Sequence, residues 1–430
     1  MEYAAASRAA HDEARTSAFS EVESHREPAA VLAAWAELEA VAPASAYQTR
    51  DFLLAWLETL GAARKIAPLF VIAKDRQGEV LALLCLGIEQ HGPLRCAVFL
   101  GGKESNFNLG LFRPGANFAA ADLMALLRAA AAKLGTEAPD AFLLKNQPVE
   151  WEGVRNCFLL LKHRPSPSFA YATALHKDPE AFFAAKLGSR ARKKLRKKEQ
   201  RLATLGVVAA TTNDRHSEGR EILDAFFAEK IARCEEQAID ADFSTPAMRA
   251  FFERMSQARA GKSWLELYAL TFGGRIVATY AGALHRGQFS AMVNSFDTDP
   301  EIAKSSPGDL LLMKVLGRQC ERGVALFDLG IGKARYKATY CDIVIPLFDV
   351  VVPLSLKGHL FAAYHLIVSQ LKQTIKKNPQ ALARLRGWKR LAAHLSGARS
   401  APRRGLATLR PHDAKDDLVP KDDARFDGSD

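Results

Sequence analysis

Two stretches of the chain share one pattern of apolar and polar positions. Leu69–Ile88 reads LFVIAKDRQGEVLALLCLGI and Leu265–Leu284 reads LELYALTFGGRIVATYAGAL. At a constant offset of 196 residues Gly78 falls on Gly274, Val80 on Ile276 and Ala82 on Ala278. Each stretch predicts two strands joined by a tight turn at the glycine. A third apolar strand follows in both, Arg95–Leu100 and Gln288–Phe296. Then come a loop, a helical run (Ala119–Leu134, Gly308–Arg322) and a short apolar strand (Ala141–Leu144, Ala325–Leu329). Helical patterns precede each hairpin, at Pro28–Val41 and Arg50–Leu60 in the first copy, and at Ile222–Gln237 and Pro246–Ala258 in the second. The repeat predicts two α+β units in tandem, with mixed, mainly antiparallel sheets flanked by helices.

Pro165-Ser166-Pro167 reads as the linker between them. The expected organisation is a loosely ordered N-terminus over 1–27, a first unit over 28–164 and a second over 168–352. A basic helical extension follows over 353–396, then a disordered tail over 397–430.

Composition narrows the class. The 430 residues are 48% apolar and 25% charged, which suits globular domains and excludes wholesale disorder. The longest stretch without Asp, Glu, Lys or Arg is Gly358–Leu371, 14 residues, where a membrane span needs about 20. The first thirty residues lack the apolar core of a signal peptide. The expected location is the cytoplasm, with peripheral contact at the inner membrane face left open. Six cysteines with no Cys-x-x-Cys suit reduced thiols. The histidine spacings offer no metal site, so no metal is expected.

The net charge of +11 is concentrated in two modules. Lys186–Arg201 holds nine basic residues and the single acid Glu199. Leu187, Ala191, Leu195, Leu202 and Leu205 recur there at helical spacing, so this is a helix, either an anion-binding face or a solvated surface. No aromatic residue interleaves the charges, which disfavours stacking on nucleic acid. The second module, Val350–His412, holds twelve Lys or Arg and no acid. Its first helix, Gly358–Leu371, reads as a packing helix. The basic segment over 358–396 also suits an anionic membrane face or a biosynthetic complex.

The second copy carries Ser306-Pro307-Gly308-Asp309, a helix start with proline in the first turn and glycine allowing close approach. Such a start is equally a phosphate site or a well-capped surface helix. The first copy's loop, Arg113–Phe118, lacks the serine-proline start, so one copy looks competent and the other degenerate.

The order of motifs in the second copy carries a resemblance. Ser189-Arg190-x-Arg192-Lys193-x-Leu195-Arg196-Lys197 is followed by the helical pair and the hairpin. Asn294-x-Phe296-Asp297 and Ser306-Pro307-Gly308-x-Leu310-Leu311 come next, then Phe327-Asp328-Leu329 and Tyr336-Lys337. This resembles the tandem-GNAT acyltransferase family that includes proteins encoded with bacterial cellulose and exopolysaccharide synthesis genes. It is more distantly similar to the Fem-type peptidoglycan aminoacyltransferases. The resemblance covers about 182–342, with the family's two-glycine phosphate loop reduced to Ser-Pro-Gly.

It implies two tandem GNAT-like units and an N- or O-acyltransferase using acetyl-CoA or another acyl-CoA as cosubstrate. The implied acceptor is a polar, possibly anionic molecule related to the cell envelope or to polysaccharide. The implied roles are Ser306, Pro307, Gly308 and Asn294 for the donor, and Tyr336 and Asp297 for proton transfer. Lys337, Arg192 and Arg196 would bind the acceptor, in a cleft between the units. The alternatives are a Fem-like transferase drawing its donor from aminoacyl-tRNA, and a non-catalytic scaffold.

Overall fold

The computed structural model describes residues 17–377, apart from 213–215, 237–241, 260–261 and 333. The predicted tail over 397–430 and the later part of the basic extension, 378–396, lie outside the described residues. Both glycine turns form: Ala67–Lys74 pairs antiparallel with Val80–His91, and Glu266–Phe272 with Arg275–His285. Gly78 and Gly274 take φ of +85° and +80°, a region that side-chain-bearing residues rarely enter. The strands Leu94–Phe99 and Gln288–Phe296 extend each meander antiparallel. The chain then crosses over through the helices Ala120–Ala132 and Pro307–Glu321. It returns parallel in Ala141–Pro148 and Leu326–Ile331.

At the opposite edge Glu21–His25 joins the first sheet and Val208–Thr212 the second. The first of these corrects the expectation of loose order throughout 1–27. Its Val22 is buried, and the other strand residues from Glu23 to His25 are half-buried, which seats a short edge strand.

The second unit does not end where expected, because its last strand crosses to the first sheet. Ala170–Ala174, just past the proline linker, lies between Leu326–Ile331 and Ile343–Ile345 in the second sheet. Leu347–Pro353 leaves the second unit and lies between Ala141–Pro148 and His163–Pro165 in the first sheet. The two strands occupy equivalent places, beside the parallel strand of each sheet. Pro165 therefore belongs to an edge strand, where its missing N–H costs no ladder bond. The Leu347–Pro353 strand is apolar at successive positions, as a strand covered on both faces must be.

All described residues fall within one compact unit. Its largest apolar cluster joins the copies: Trp35, Tyr47, Phe52 and Trp56 from the first meet Phe226, Phe227, Phe251 and Leu267 from the second. Phe52 sits edge-on to Phe251 at 5.6 Å and against Trp264 at 5.2 Å between ring centres. Separate clusters lie behind each sheet, under Ala120–Ala132 and under Pro307–Glu321.

Candidate functional site

The second sheet opens in its middle. Gln288–Phe296 and Leu326–Ile331 are paired only over Gln288↔Leu326, Phe289↔Phe327 and Ser290↔Asp328, and then separate. At the same level the register against Arg275–His285 shifts, leaving Met292 as an extra residue between Ala291 and Val293. A bulge bends its strand and frees backbone polar groups from the ladder. The corresponding first-sheet strand, Leu94–Phe99, runs against its neighbour without such a shift.

The diverging strand leads to the start of the helix Pro307–Glu321. Ser306 takes φ +50°, and its side chain does not cap the helix. Its hydroxyl instead accepts a hydrogen bond from Lys198 Nζ at 2.6 Å. An uncapped first turn leaves N–H donors directed outward at the positive end of the helix dipole. The equivalent first-unit helix is closed. The Asp122 carboxylate accepts from Ala119 N–H at 2.8 Å and from the Ser17 hydroxyl at 3.2 Å, and Phe19 stacks on Phe118 beside it. The two helix starts thus differ in whether a side chain closes the first turn.

The basic helix, Ser189–Leu205, lies along this helix start. Besides Lys198–Ser306, Glu199 pairs with Lys314 at 2.7 Å and Arg201 with Glu301 at 3.4 Å. Arg190, Lys193, Lys194, Arg196 and Lys197 are exposed, while Leu202 is fully buried. Arg192 is half-buried, with its Nε unpartnered. The leucine stripe docks the helix bearing Arg192 and Arg196 beside the helix Pro307–Glu321.

Between the units lies a cavity of about 570 Å³. Lys103, Glu104 and Asn106 line it from the first unit, and Lys230, Arg233, Met292 and Asn294 from the second. Lys103 is paired with Asp242, and Glu104 holds Arg64 at 2.8 Å. Lys230 Nζ donates to the Asn294 carbonyl at 3.3 Å and stands over Phe243. Burial, with Arg233 adding to it, lowers the Lys230 pKa. Arg233 stacks on Phe296 at 4.4 Å. Asn294 therefore reaches the inter-unit cavity, on the opened strand.

Asn106 enters the opening itself. Its Nδ2 donates to Tyr47 Oη at 2.7 Å and to the Ala291 carbonyl at 3.3 Å, and its Oδ1 accepts a long bond from Ile331 N–H at 3.5 Å. It thus spans the two strands where their own ladder has ended. Gly330 takes φ +75°, and a Cβ there would stand 2.6 Å from Asn106 Nδ2, so glycine makes room for the insertion.

Behind Asn106 sits Asp328. It is fully buried; its Oδ1 accepts from Gly330 N–H at 2.6 Å and its Oδ2 has no hydrogen-bond partner. Burial pushes its pKa up to about 7, against the opposing pull of the Gly330 N–H, Lys337 and the nearby Ser290 hydroxyl. Lys337, expected to meet a charged substrate, is buried instead. Its Nζ donates to the carbonyls of Gly330 and Ile331 at 3.0 and 2.9 Å, tying the short helix Arg335–Tyr340 to the strand end.

Tyr336 lies on that short helix, half-buried against the cluster containing Tyr280, Phe327 and Leu329, and burial raises its pKa. Asp297 lies elsewhere. It is ion-paired with Arg275 and accepts from Asp299 N–H at 2.8 Å, closing the turn after the strand. The structure does not bring Asp297 and Tyr336 together as a proton-transfer pair.

Sequence reasoning passed over Asn106, Lys198, Glu229, Lys230 and Arg233. Glu229 accepts from the Ser295 hydroxyl at 2.5 Å, and burial raises its pKa to about 7. Lys230 did leave a signal: Ile222, Leu223, Phe226, Phe227 and Cys234 form an apolar helical stripe, and Lys230 interrupts it. Asn106 left none, since it lies in a loop whose partner is 185 residues away.

Residues 189–338 match the model of the acetyltransferase (GNAT) domain family. The matched segment runs from the basic helix through the opened strands to the helix bearing Tyr336, so the second unit is similar to a GNAT acetyltransferase domain. No curated protein matches the chain in sequence. Among solved structures the chain is similar to FemX, at 11% identity and a TM-score of 0.52, over 76% of this chain and 96% of that one. It is also similar to a conserved protein of unknown function from Bacteroides thetaiotaomicron, at 14% identity and a TM-score of 0.50, over 78% and 100%. A tandem GNAT protein from the clavulanic acid pathway has 11% identity and a TM-score of 0.45, over 77% and 98%. At such identities the likeness is one of fold.

Proposed function

We propose that the second unit transfers an acyl group from an acyl-CoA to a polar, anionic acceptor held in the cavity between the units. One observation carries the reading. The strands part just beyond Ser290 and Asp328, between an uncapped helix start on the donor side and a lined cavity facing the first unit. The first turn at Ser306-Pro307-Gly308, with Lys198 beside it, suits the donor's pyrophosphate. The cations Lys230 and Arg233 favour an acceptor bearing a carboxylate or phosphate, such as a charged glycan precursor, the cell-envelope class that the resemblance implies.

In such a transfer the acceptor's amine or hydroxyl attacks the thioester carbonyl. The oxyanion needs fixed donors, which the bulge at Met292 and Val293 can present from backbone N–H groups. The acceptor's proton must leave, and the thiolate must gain one. We assign the first role to Asp328, whose unpartnered oxygen and near-neutral pKa suit a base at neutral pH. Tyr336 remains the proposed acid. Asp297 is replaced in this scheme because its carboxylate is committed to Arg275.

A second reading has its own support. The basic helix, which meets the proposed donor helix start through Lys198, carries five exposed cations, which suits a donor carried on RNA, as in an aminoacyl-tRNA-dependent transferase. Calorimetry separates the readings. Acetyl-CoA should bind saturably to the wild-type chain, and Gly308→Glu should weaken it at least tenfold by placing charge against the pyrophosphate. Glutamate at 308 meets only Phe296, at 3.3 Å from the new Cβ, so the fold should survive. Unchanged acetyl-CoA affinity in a folded Gly308→Glu protein would remove the donor site. Saturable binding of aminoacyl-tRNA but not of acetyl-CoA would favour the second reading. Binding of neither donor would leave a scaffold.

A further inference from the structure

The helix Leu356–Lys377 follows the crossing strand Leu347–Pro353 and packs back along it. Gly358 sets the contact: a Cβ there would lie 2.0 Å from the Asp140 carbonyl oxygen, so only a bare backbone fits. The sequence predicts that this helix buries its apolar residues. The structure turns many of them outward. Leu356, Leu360, Tyr364 and Ile367 are exposed by 80%, 68%, 64% and 64%, with Ala363 exposed among them. These positions form one row along the helix, opposite to the face that packs. An ordinary surface helix shows the reverse arrangement, polar outward. A contiguous outward apolar row marks a surface that meets something.

The charge around the row says what. Lys357 is exposed at its start, and Lys372, Lys376 and Lys377 follow in the same helix. Across Val350–His412 there are twelve Lys or Arg and no acid. A second copy of the chain would bring two acid-free cationic helices together, and their like charges repel. A surface of anionic lipid headgroups instead offers apolar depth beneath continuous negative charge. Among the described residues no helix is long and apolar enough to cross a membrane. At about 1.5 Å per residue the helix would lie along the surface for roughly 30 Å.

We propose that the outward face of Leu356–Lys377 seats the protein on an anionic lipid surface. Leu360, Tyr364 and Ile367 enter the headgroup–acyl boundary, and Lys357, exposed beside the row, meets the lipid phosphates. The attachment is reversible and salt-sensitive, since exposed charges are screened over about 8 Å at physiological ionic strength. It does not depend on the acyl-transfer reading.

The test uses the full chain with vesicles of phosphatidylcholine alone and of phosphatidylcholine mixed with phosphatidylglycerol. The wild type should co-sediment with the anionic vesicles roughly tenfold better than with the neutral ones, and less at high salt. The Leu360→Ser/Ile367→Ser variant should lose most of this binding while keeping the wild-type thermal midpoint, because both side chains are exposed. Binding that the double variant retains in full would overturn the proposal, as would wild-type protein left in the supernatant of both vesicle types. A dimer in light scattering, dissolved by the same variant and indifferent to vesicles, would assign the row to a second copy instead.

Discussion

At Asp328 a carboxyl stands inside an apolar strand, between Phe327 and Leu329, with one oxygen bonded to Gly330 N–H and the other unpartnered. In sequence that setting reads as structural, because apolar neighbours announce burial but do not show what lies beyond the strand. The three-dimensional neighbours change the reading: Asn106 and Tyr47 approach from the first unit, and the strand pair ends at this residue. The raised pKa has a consequence for stability. The folded state keeps its proton up to about pH 7, whereas an unfolded aspartate gives it up near 4. Asp328 therefore contributes a stability that is complete below about pH 4 and is lost as pH rises towards 7. For one proton the slope approaches 1.4 kcal/mol per pH unit, to order of magnitude. Glu229, also raised to about 7, acts in the same direction. Asp328→Asn keeps an acceptor for Gly330 N–H without the titration. Denaturant unfolding at a series of pH values should show a shallower decline between pH 4 and 7 in this variant. Parallel curves for the two proteins would mean that Asp328 does not hold a raised pKa.

Among the elements, the basic helix shows how far pattern reaches. Its extent was legible: the leucine spacing predicts a docked helix, and Ser189–Leu205 forms with Leu202 buried. Its neighbour was not, because charge density does not say which anion it faces. The pairs Lys198–Ser306, Glu199–Lys314 and Arg201–Glu301 set it beside the helix Pro307–Glu321, the proposed donor helix. The hairpins were legible for a different reason, since a tight turn with glycine at positive φ is encoded within a few residues. Changing Arg192, Lys193, Arg196 and Lys197 together to glutamine should leave the fold intact, because surface charges contribute little to stability. It should weaken donor binding several-fold at low salt and flatten its salt dependence, with the acceptor Michaelis constant little changed. Titrating the donor at two salt levels tests the placement. An effect confined to the acceptor constant would return the helix to the acceptor side.

For the whole molecule the crossing strand Leu347–Pro353 decides what can fold alone. The sequence shows that Leu347–Pro353 is a buried strand, yet nothing in an apolar run names the sheet that receives it. That information lies in pairing across about 200 residues, between Val350 and Leu144. Cutting the chain after residue 168 would leave the first sheet without this strand and expose the edge of Ala141–Pro148. The remainder would keep every strand of the second sheet, but would carry Leu347–Pro353 unpaired, and unpaired apolar strands aggregate. Both pieces would also expose the shared core around Phe52 and Phe251. We expect each fragment expressed alone to be insoluble or unfolded, and co-expression to recover a soluble complex. In the intact chain, Phe52→Ala should cost about 3–5 kcal/mol through the cavity it leaves. Because Phe52 touches Phe251 and Trp264 of the other unit, that loss should shift one cooperative transition rather than divide it in two. Calorimetry of the variant reads this directly. A split transition, or a first-unit fragment that folds without the second, would show that the crossing strand and the common core do not bind the units into one body.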